Sequence, residues 1–416
     1  MEITMKRVAW RLWGRCVGLL FGSLWLSVAE AQVADMAFTS DRHVDAERSR
    51  QLLVELESLS FFKDNEFAGK VVKGYTLPGF WLQPKLTYYP TEKIKLELGA
   101  HLLVYHGANK YPSMAYQDIA YWKGNQYQNG THILPYFRAQ MALSEHVDVV
   151  LGSLYGAANH RLVEPLYNPE LNLTCDPEMG LQVLYQSHRF ELDAWVNWQS
   201  FIFKEDTHQE AFTVGLSSRV NYTDPDALFL FYSPVQALVQ HRGGEIDTIT
   251  TQSVQTLMNG AVGAGVSWQP AYRLLRRLNF ELDAVGYYQQ AGEIWPFDQG
   301  YALYARLSAD VKDFRLKTAY CQAHDFISLF GSPFLGSASL VEPGATFERP
   351  KLLYVGAEYG RSLGKGFFFL VKADVYHRLA DDMRGLDGTL MPVGGATSFS
   401  ASVCMRINPS FLLKQF

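Results

Sequence analysis

The chain has 416 residues, with 37 Lys and Arg against 42 Asp and Glu, a formal net charge of −5, four cysteines and 14% aromatic residues. That balance excludes a basic nucleic-acid surface, and so few cysteines exclude a disulfide-dense or zinc-stapled fold. After residue 31 there is no apolar run of the roughly 18 residues a membrane helix needs.

The first 31 residues have the pattern of an export signal. Lys6, Arg7, Arg11 and Arg15 give a basic start, Cys16–Val28 a short apolar core, and Ala29-Glu30-Ala31 a small-x-small cleavage site. Cleavage there removes four basic and two acidic residues and leaves a net charge of about −7 and three widely spaced cysteines, Cys175, Cys321 and Cys404. Residues 32–48 read as a short polar periplasmic segment, and 49–416 as a single domain.

Within that domain the dominant period is two. In Ile94–Tyr105 the residues Ile94, Leu96, Leu98, Ala100, Leu102 and Val104 form an oily set that alternates with a mostly polar one, the pattern of a strand with one oily and one wet face. In chain order, strands are expected at 52–62, 79–89, 94–105, 131–143, 147–156, 178–187, 189–201, 212–221 and 227–239. They continue at 260–269, 278–288, 301–311, 314–324, 351–361, 367–377 and 398–408. Short turns such as 91–93 and 144–146 alternate with long loops at 107–130, 157–177 and 325–349. Most of these strands run 10–13 residues, enough at a 45° tilt to cross an oily band of roughly 25 Å, whereas strands of soluble sandwiches average about 5–6.

The fold expected is therefore all-β: a transmembrane antiparallel up-and-down barrel of 16 strands, or 14 if the first pair lies outside the wall. An even number places both termini at the periplasmic end, with short turns there and long loops at the cell surface. With its export signal, strand rhythm, aromatic strand ends (Tyr88-Tyr89, Tyr136-Phe137) and terminal Phe416, the chain resembles a Gram-negative outer-membrane porin. Its low charge and aromatic richness are similar to porins of Bacteroidetes-type membranes. The resemblance implies an outer-membrane location, surrounding lipid and the barrel-assembly machinery as partners, small hydrophilic solutes as cargo, and no cofactor.

Charges on the polar faces are too costly to meet lipid and are assigned to the lumen. The candidate pore-lining residues are Glu97, His101, Arg138, Glu191, Asp193, Glu281, Asp283, Arg306, Asp310, Arg315, Lys317, Glu358, Lys372, Asp374 and Arg406. They either sort solutes by their field or pair across strands to hold a wet wall together. The acidic loop 204–210 reads as solvated, with a divalent-ion site as the weaker alternative. The glycines Gly260, Gly263 and Gly265 lie on a strand and leave space in the wall.

Passive diffusion through a hydrated lumen is the function expected. A non-conducting structural or surface-binding barrel is the first alternative, and an outer-membrane lipid-modifying enzyme the second. Catalysis is not expected, because none of the 11 histidines is followed two residues later by the serine of the His-x-Ser signature carried by phospholipase barrels. Leu98 is expected to touch lipid, and Glu97→Gln to be much milder than Leu98→Arg.

Overall fold

The computed structural model describes residues 37–105, 131–200, 202, 209–244, 253–270 and 272–416. The export signal, loop 107–130 and most of the acidic loop 204–210 lie outside these residues. The wall begins with β1 (Gln51–Glu66), β2 (Tyr75–Thr91), β3 (Ile94–Tyr105), β4 (Thr131–Ala142), β5 (Val147–Ser153), β6 (Met179–Gln186), β7 (Phe190–Ser200) and β8 (Ala211–Asn221). It continues through β9 (Phe229–Arg242), β10 (Gln255–Trp268), β11 (Leu275–Ala291), β12 (Gln299–Val311) and β13 (Phe314–His324). A two-residue β14 (Thr346–Phe347) precedes β15 (Lys351–Gly364) and β16 (Phe367–Arg378). The short pair β17 (Asp381–Arg384) and β18 (Leu390–Val393) precedes β19 (Ala396–Ile407) and β20 (Ser410–Gln415).

Each wall strand is antiparallel to its neighbour, and β1 closes the ring by pairing with β19 over Ser58–Glu66 and with β20 over Gln51–Glu55. β19 and β20 are two halves of one strand interrupted at Pro409, so the barrel is closed with 16 strands, as the alternation predicts. Pro409 cannot donate to the ladder, yet its carbonyl still accepts from the Leu56 N–H at 3.1 Å. The small sheet of β14, β17 and β18 stands apart from the wall.

The expected faces hold. Leu98 (63% exposed), Ile133, Phe137, Val262, Leu303 and Val355 point outward and form an apolar belt. Aromatic residues flank the belt at both ends, with Tyr88 against Phe416 and Phe314 against Tyr359 at the short-turn end, and Trp198 stacked on Phe212 at the other. A closed wall, an apolar belt and two aromatic girdles are the features of an outer-membrane barrel.

The loops differ from expectation. Residues 157–177 and 325–349, assigned to the cell surface, turn into the barrel. They meet through Asn168 N–H to the Phe330 carbonyl (2.7 Å) and Ser332 N–H to the Glu164 carbonyl (3.1 Å). Asn259, on the wall, accepts from Leu329 N–H (2.9 Å) and donates to the Ile327 carbonyl (2.8 Å). Val163, Leu166 and Phe326 are fully buried in the apolar core these loops make inside the barrel. The polar segment 37–49 also contacts the lumen wall, its Thr39 carbonyl accepting from Arg406 at 2.9 Å.

One local departure sets up the site. β5 has seven residues and β6 eight. β4 pairs with β5 only from Arg138 to Ala142, and the β6–β7 ladder ends at Gly180 opposite Asn197. Towards the long-loop end the wall between β4 and β7 is therefore notched.

Glu97 is also not the mild site expected of it. It is 1% exposed, with Arg138 at 2.8 Å, Lys85 at 3.0 Å and Lys95 at 3.2 Å. Removing this charge takes the carboxylate away from Arg138, although Lys85 keeps Glu57 at 2.8 Å, and breaking a buried pair costs about 3–5 kcal/mol. Urea unfolding in lipid vesicles should show Glu97→Gln destabilising the barrel at least as much as Leu98→Arg, whose lipid-facing charge costs about 2–4 kcal/mol.

Candidate functional site

The sequence-derived residues fall into several groups on the inner face. Glu97 and Arg138 belong to the network just described, and His101 contacts Gln83 at 2.9 Å beside it. Glu281 pairs with Arg306, and Asp283 lies fully buried one inward position further along β11. Asp310 meets Arg315 at 2.6 Å, while Glu358 meets Lys317 at 2.7 Å and Lys372 at 3.7 Å, and Lys372 meets Asp374 at 3.3 Å. Arg406 reaches Glu57 as well as the Thr39 carbonyl. Glu191 pairs with Arg161 and Asp193 with Arg42, both partners coming from segments inside the barrel. Almost every charge is thus matched by one of opposite sign.

Glycines on the wall make room for these inner side chains. A Cβ on Gly263 would sit 2.0 Å from the Asp283 carboxylate, and one on Gly265 would sit 2.2 Å from the Tyr232 ring.

Behind the notch Asp193, expected as a pore-lining residue, joins His160 and Glu178, which the sequence did not single out. His160 ends a short 3-10 turn, Ala157–His160, of the inward loop and is 2% exposed. Its Nδ1 lies 3.0 Å from Asp193 Oδ2 and its Nε2 3.1 Å from Glu178 Oε2. The imidazole stacks on Trp195 with centroids 3.5 Å apart. Trp195 can lie flat because Gly215 is opposite it on β8, where a Cβ would come within 2.1 Å of the indole. Asp193 is fixed further by Gln182 (2.8 Å) and Arg42 (3.0 Å), and Glu178 accepts from the Ala157 N–H at 2.9 Å.

Burial alone would lower the proton affinity of His160, but the negative charges of Glu178 and Asp193 outweigh it and push its pKa up to about 9. Burial likewise opposes ionisation of Glu178, and His160 overcomes that and holds its pKa below the usual carboxylate value. A histidine oriented at Nδ1 by one carboxylate, with Nε2 facing a second, is equipped to move a proton. Among the described residues no group of three or more His, Cys, Asp and Glu side chains is arranged to hold a metal ion.

The array borders a cavity of about 360 Å³ that crosses the wall at the notch. Pro135, Met179 and Trp198 form its outer side, and Leu162, Leu238, Phe330 and His160 its inner side. Cys175–Glu178 separates this cavity from a lumen chamber of about 560 Å³ beside the Glu97 network. A third space, of about 880 Å³, opens near the short turns and is lined by Arg219, Arg306, Arg315 and Lys317 together with Glu164 and Glu281.

The protein is an outer-membrane β-barrel with a buried histidine held between two carboxylates behind an incomplete stretch of wall. Residues 44–416 match the family described as Lipid A 3'-O-deacylase-type, and the chain belongs to that family. No curated protein matches the chain. Its structure is similar to OccAB3 of Acinetobacter baumannii, at 11% identity and a TM-score of 0.48, covering 86% of this chain and 99% of that one. It is also similar to OprD of Pseudomonas aeruginosa, at 8% identity and a TM-score of 0.46, covering 90% and 99%. Likeness at this identity says nothing of activity.

Family membership corrects the expectation that the chain is not an enzyme, since the family is named for a deacylase. The expectation failed because it sought a contiguous His-x-Ser signature. A fold can bring such groups together without local spacing, as it does His160, Glu178 and Asp193 from a turn, a loop end and a strand.

Because the folded state binds the His160 proton more tightly than the unfolded chain does, the array adds stability that is fully present below about pH 6.5. That contribution is lost as pH rises through about 9. The urea midpoint of the wild type should fall across this window, and His160→Gln should flatten that part of the profile.

Proposed function

We propose that the protein is an outer-membrane acyl-ester hydrolase that removes an O-linked acyl chain from a lipid A-type glycolipid. The match to the deacylase-type family over residues 44–416 carries this reading, and the His160 array beside a wall-crossing cavity supports it. Asp193 holds Nδ1 and fixes the tautomer, so Nε2 is the nitrogen that exchanges a proton. On ester binding the Nε2 proton passes to the Glu178 carboxylate, which leaves His160 neutral, and a water molecule takes the place of Glu178 at Nε2. His160 takes a proton as the water oxygen bonds to the ester carbonyl carbon. It then returns that proton to the sugar oxygen as the C–O bond breaks, which leaves a carboxylate and an alcohol. Asn197 lines the same cavity with its Oδ1 committed to the Met179 N–H at 3.0 Å, so its amide N–H groups serve the developing oxyanion.

Passive diffusion of small hydrophilic solutes is the second reading. It draws support from the charged space of about 880 Å³ at the short-turn end. Against it stands the apolar core that the inward loops pack across the other half of the barrel.

Purified barrel mixed with lipid A should release free fatty acid. His160→Ala and Asp193→Asn should each slow release by about 10²–10⁴-fold, whereas Cys175→Ser, which removes a thiol from the cavity lining but not the proposed water nucleophile, should not. No release from any O-acylated lipid, together with steady conductance in planar bilayers, would decide for the channel. In that case replacing Arg315 and Lys317 together by Glu should move the reversal potential towards cation selectivity.

A further inference from the structure

We infer that the notch between β4 and β7 is a lateral port in which the acyl chain of a bilayer lipid binds, passing through the wall from the membrane side. The inference rests on the hydrolase reading for its purpose, but on the geometry of the wall for its existence. The cavity is lined on one side by Pro135, Met179 and Trp198, which project from outward positions. Met179 and Trp198 are 40% and 44% exposed and belong to the same apolar surface as Ile133 and Phe137. On the other side it is lined by Leu162, Leu238 and Phe330, inside the ring of strands.

An intact ladder would separate those two sets by a sheet. Here the upper parts of β5 and β6 are missing and the sets share one space. The apolar part of this cavity, between Met179 and Trp198 outside and Leu162, Leu238 and Phe330 inside, accepts apolar ligands. Its mouth lies in the surface that faces lipid tails, so tails are the apolar groups present there at high concentration.

The position of His160 at the inner edge gives the port a direction. A chain threaded from the bilayer past Met179 brings its ester to the side where His160 and Glu178 meet. The Cys175–Glu178 strip borders both this cavity and the lumen chamber, so water lies on the far side of the same edge. Apolar substrate and water then arrive from opposite sides of one array.

The test is photo-crosslinking of the full-length barrel reconstituted in phosphatidylcholine vesicles that carry a diazirine within one acyl chain, with adducts mapped by mass spectrometry. Adducts are expected at inner residues Leu162, Leu238 or Phe330 as well as on the outer belt at Leu98. Met179→Trp, which fills the mouth, should reduce the inner adducts at least tenfold and leave those at Leu98 unchanged, so a folding defect is recognised by loss of both. Inner adducts insensitive to Met179→Trp in a folded barrel, or adducts confined to the outer belt of the wild type, would overturn the port. The readout is independent of turnover. Inner adducts without fatty-acid release would leave the port standing and remove the hydrolase reading, and release without inner adducts would do the reverse.

Discussion

A sheet inside a bilayer must pair its backbone N–H and C=O groups, because hydrocarbon offers no alternative partner. For most of its circumference this wall does so strand to strand, including the seam where β1 meets both halves of the last strand. Between β4 and β7 it does not, since residues 131–137 of β4 extend beyond the end of β5. At the foot of the gap the protein uses side chains instead. Ser153 Oγ accepts from the Phe137 N–H at 3.2 Å, and Arg138 binds the Ser153 and Leu154 carbonyls at 2.6 and 2.8 Å. The gap is thus a capped end of sheet with assigned partners.

The chain that would have completed β5 and β6 goes inside. Its apolar residues cannot remain in a solvated loop without cost, and they combine with those of loop 325–349 into a core within the barrel. Once that core fills the long-loop half, the inner wall no longer faces free water throughout, and its charges have to neutralise one another locally. Asp374 pairs with Lys372, and nearer the short turns Glu97 and Glu358 are paired as well. Segment 37–49 adds Arg42 and the Arg406-bound Thr39 carbonyl to the polar contacts on the inner face.

The wall was legible in the sequence because a period of two is imposed residue by residue: Leu98 outward and Glu97 inward follow from alternation alone. Pairing was not, since which acid meets which base depends on register, and register is a property of two strands. The interior was missed for another reason. Length and turn residues marked 157–177 and 325–349 as surface loops, although Leu162, Val163, Leu166, Leu171 and Leu173 in one, and Phe326, Ile327, Leu329, Phe330 and Phe334 in the other, are more than a solvated loop carries. That density was the available signal for inward folding. For His160 no comparable signal exists: its two carboxylates lie 18 and 33 residues away, and only the inward path of the loop brings them together.

The same shortening of β5 and β6 accounts for both unusual properties of the barrel. It opens the wall to lipid, and it frees the segment that carries His160 and Glu178 to bend towards Asp193 on the inner face of β7. Had the two strands run to full length, residues 154–178 would have formed wall, with alternate side chains in lipid and no route for a histidine to sit flat on Trp195. Gly215 on β8 belongs to the same arrangement, since any side chain there would displace the indole on which the imidazole rests. An imidazole stacked on an indole and held between two carboxylates keeps its orientation whether or not an ester is present. That preorganisation, beside the opening in the wall, is what the proposed proton transfer requires.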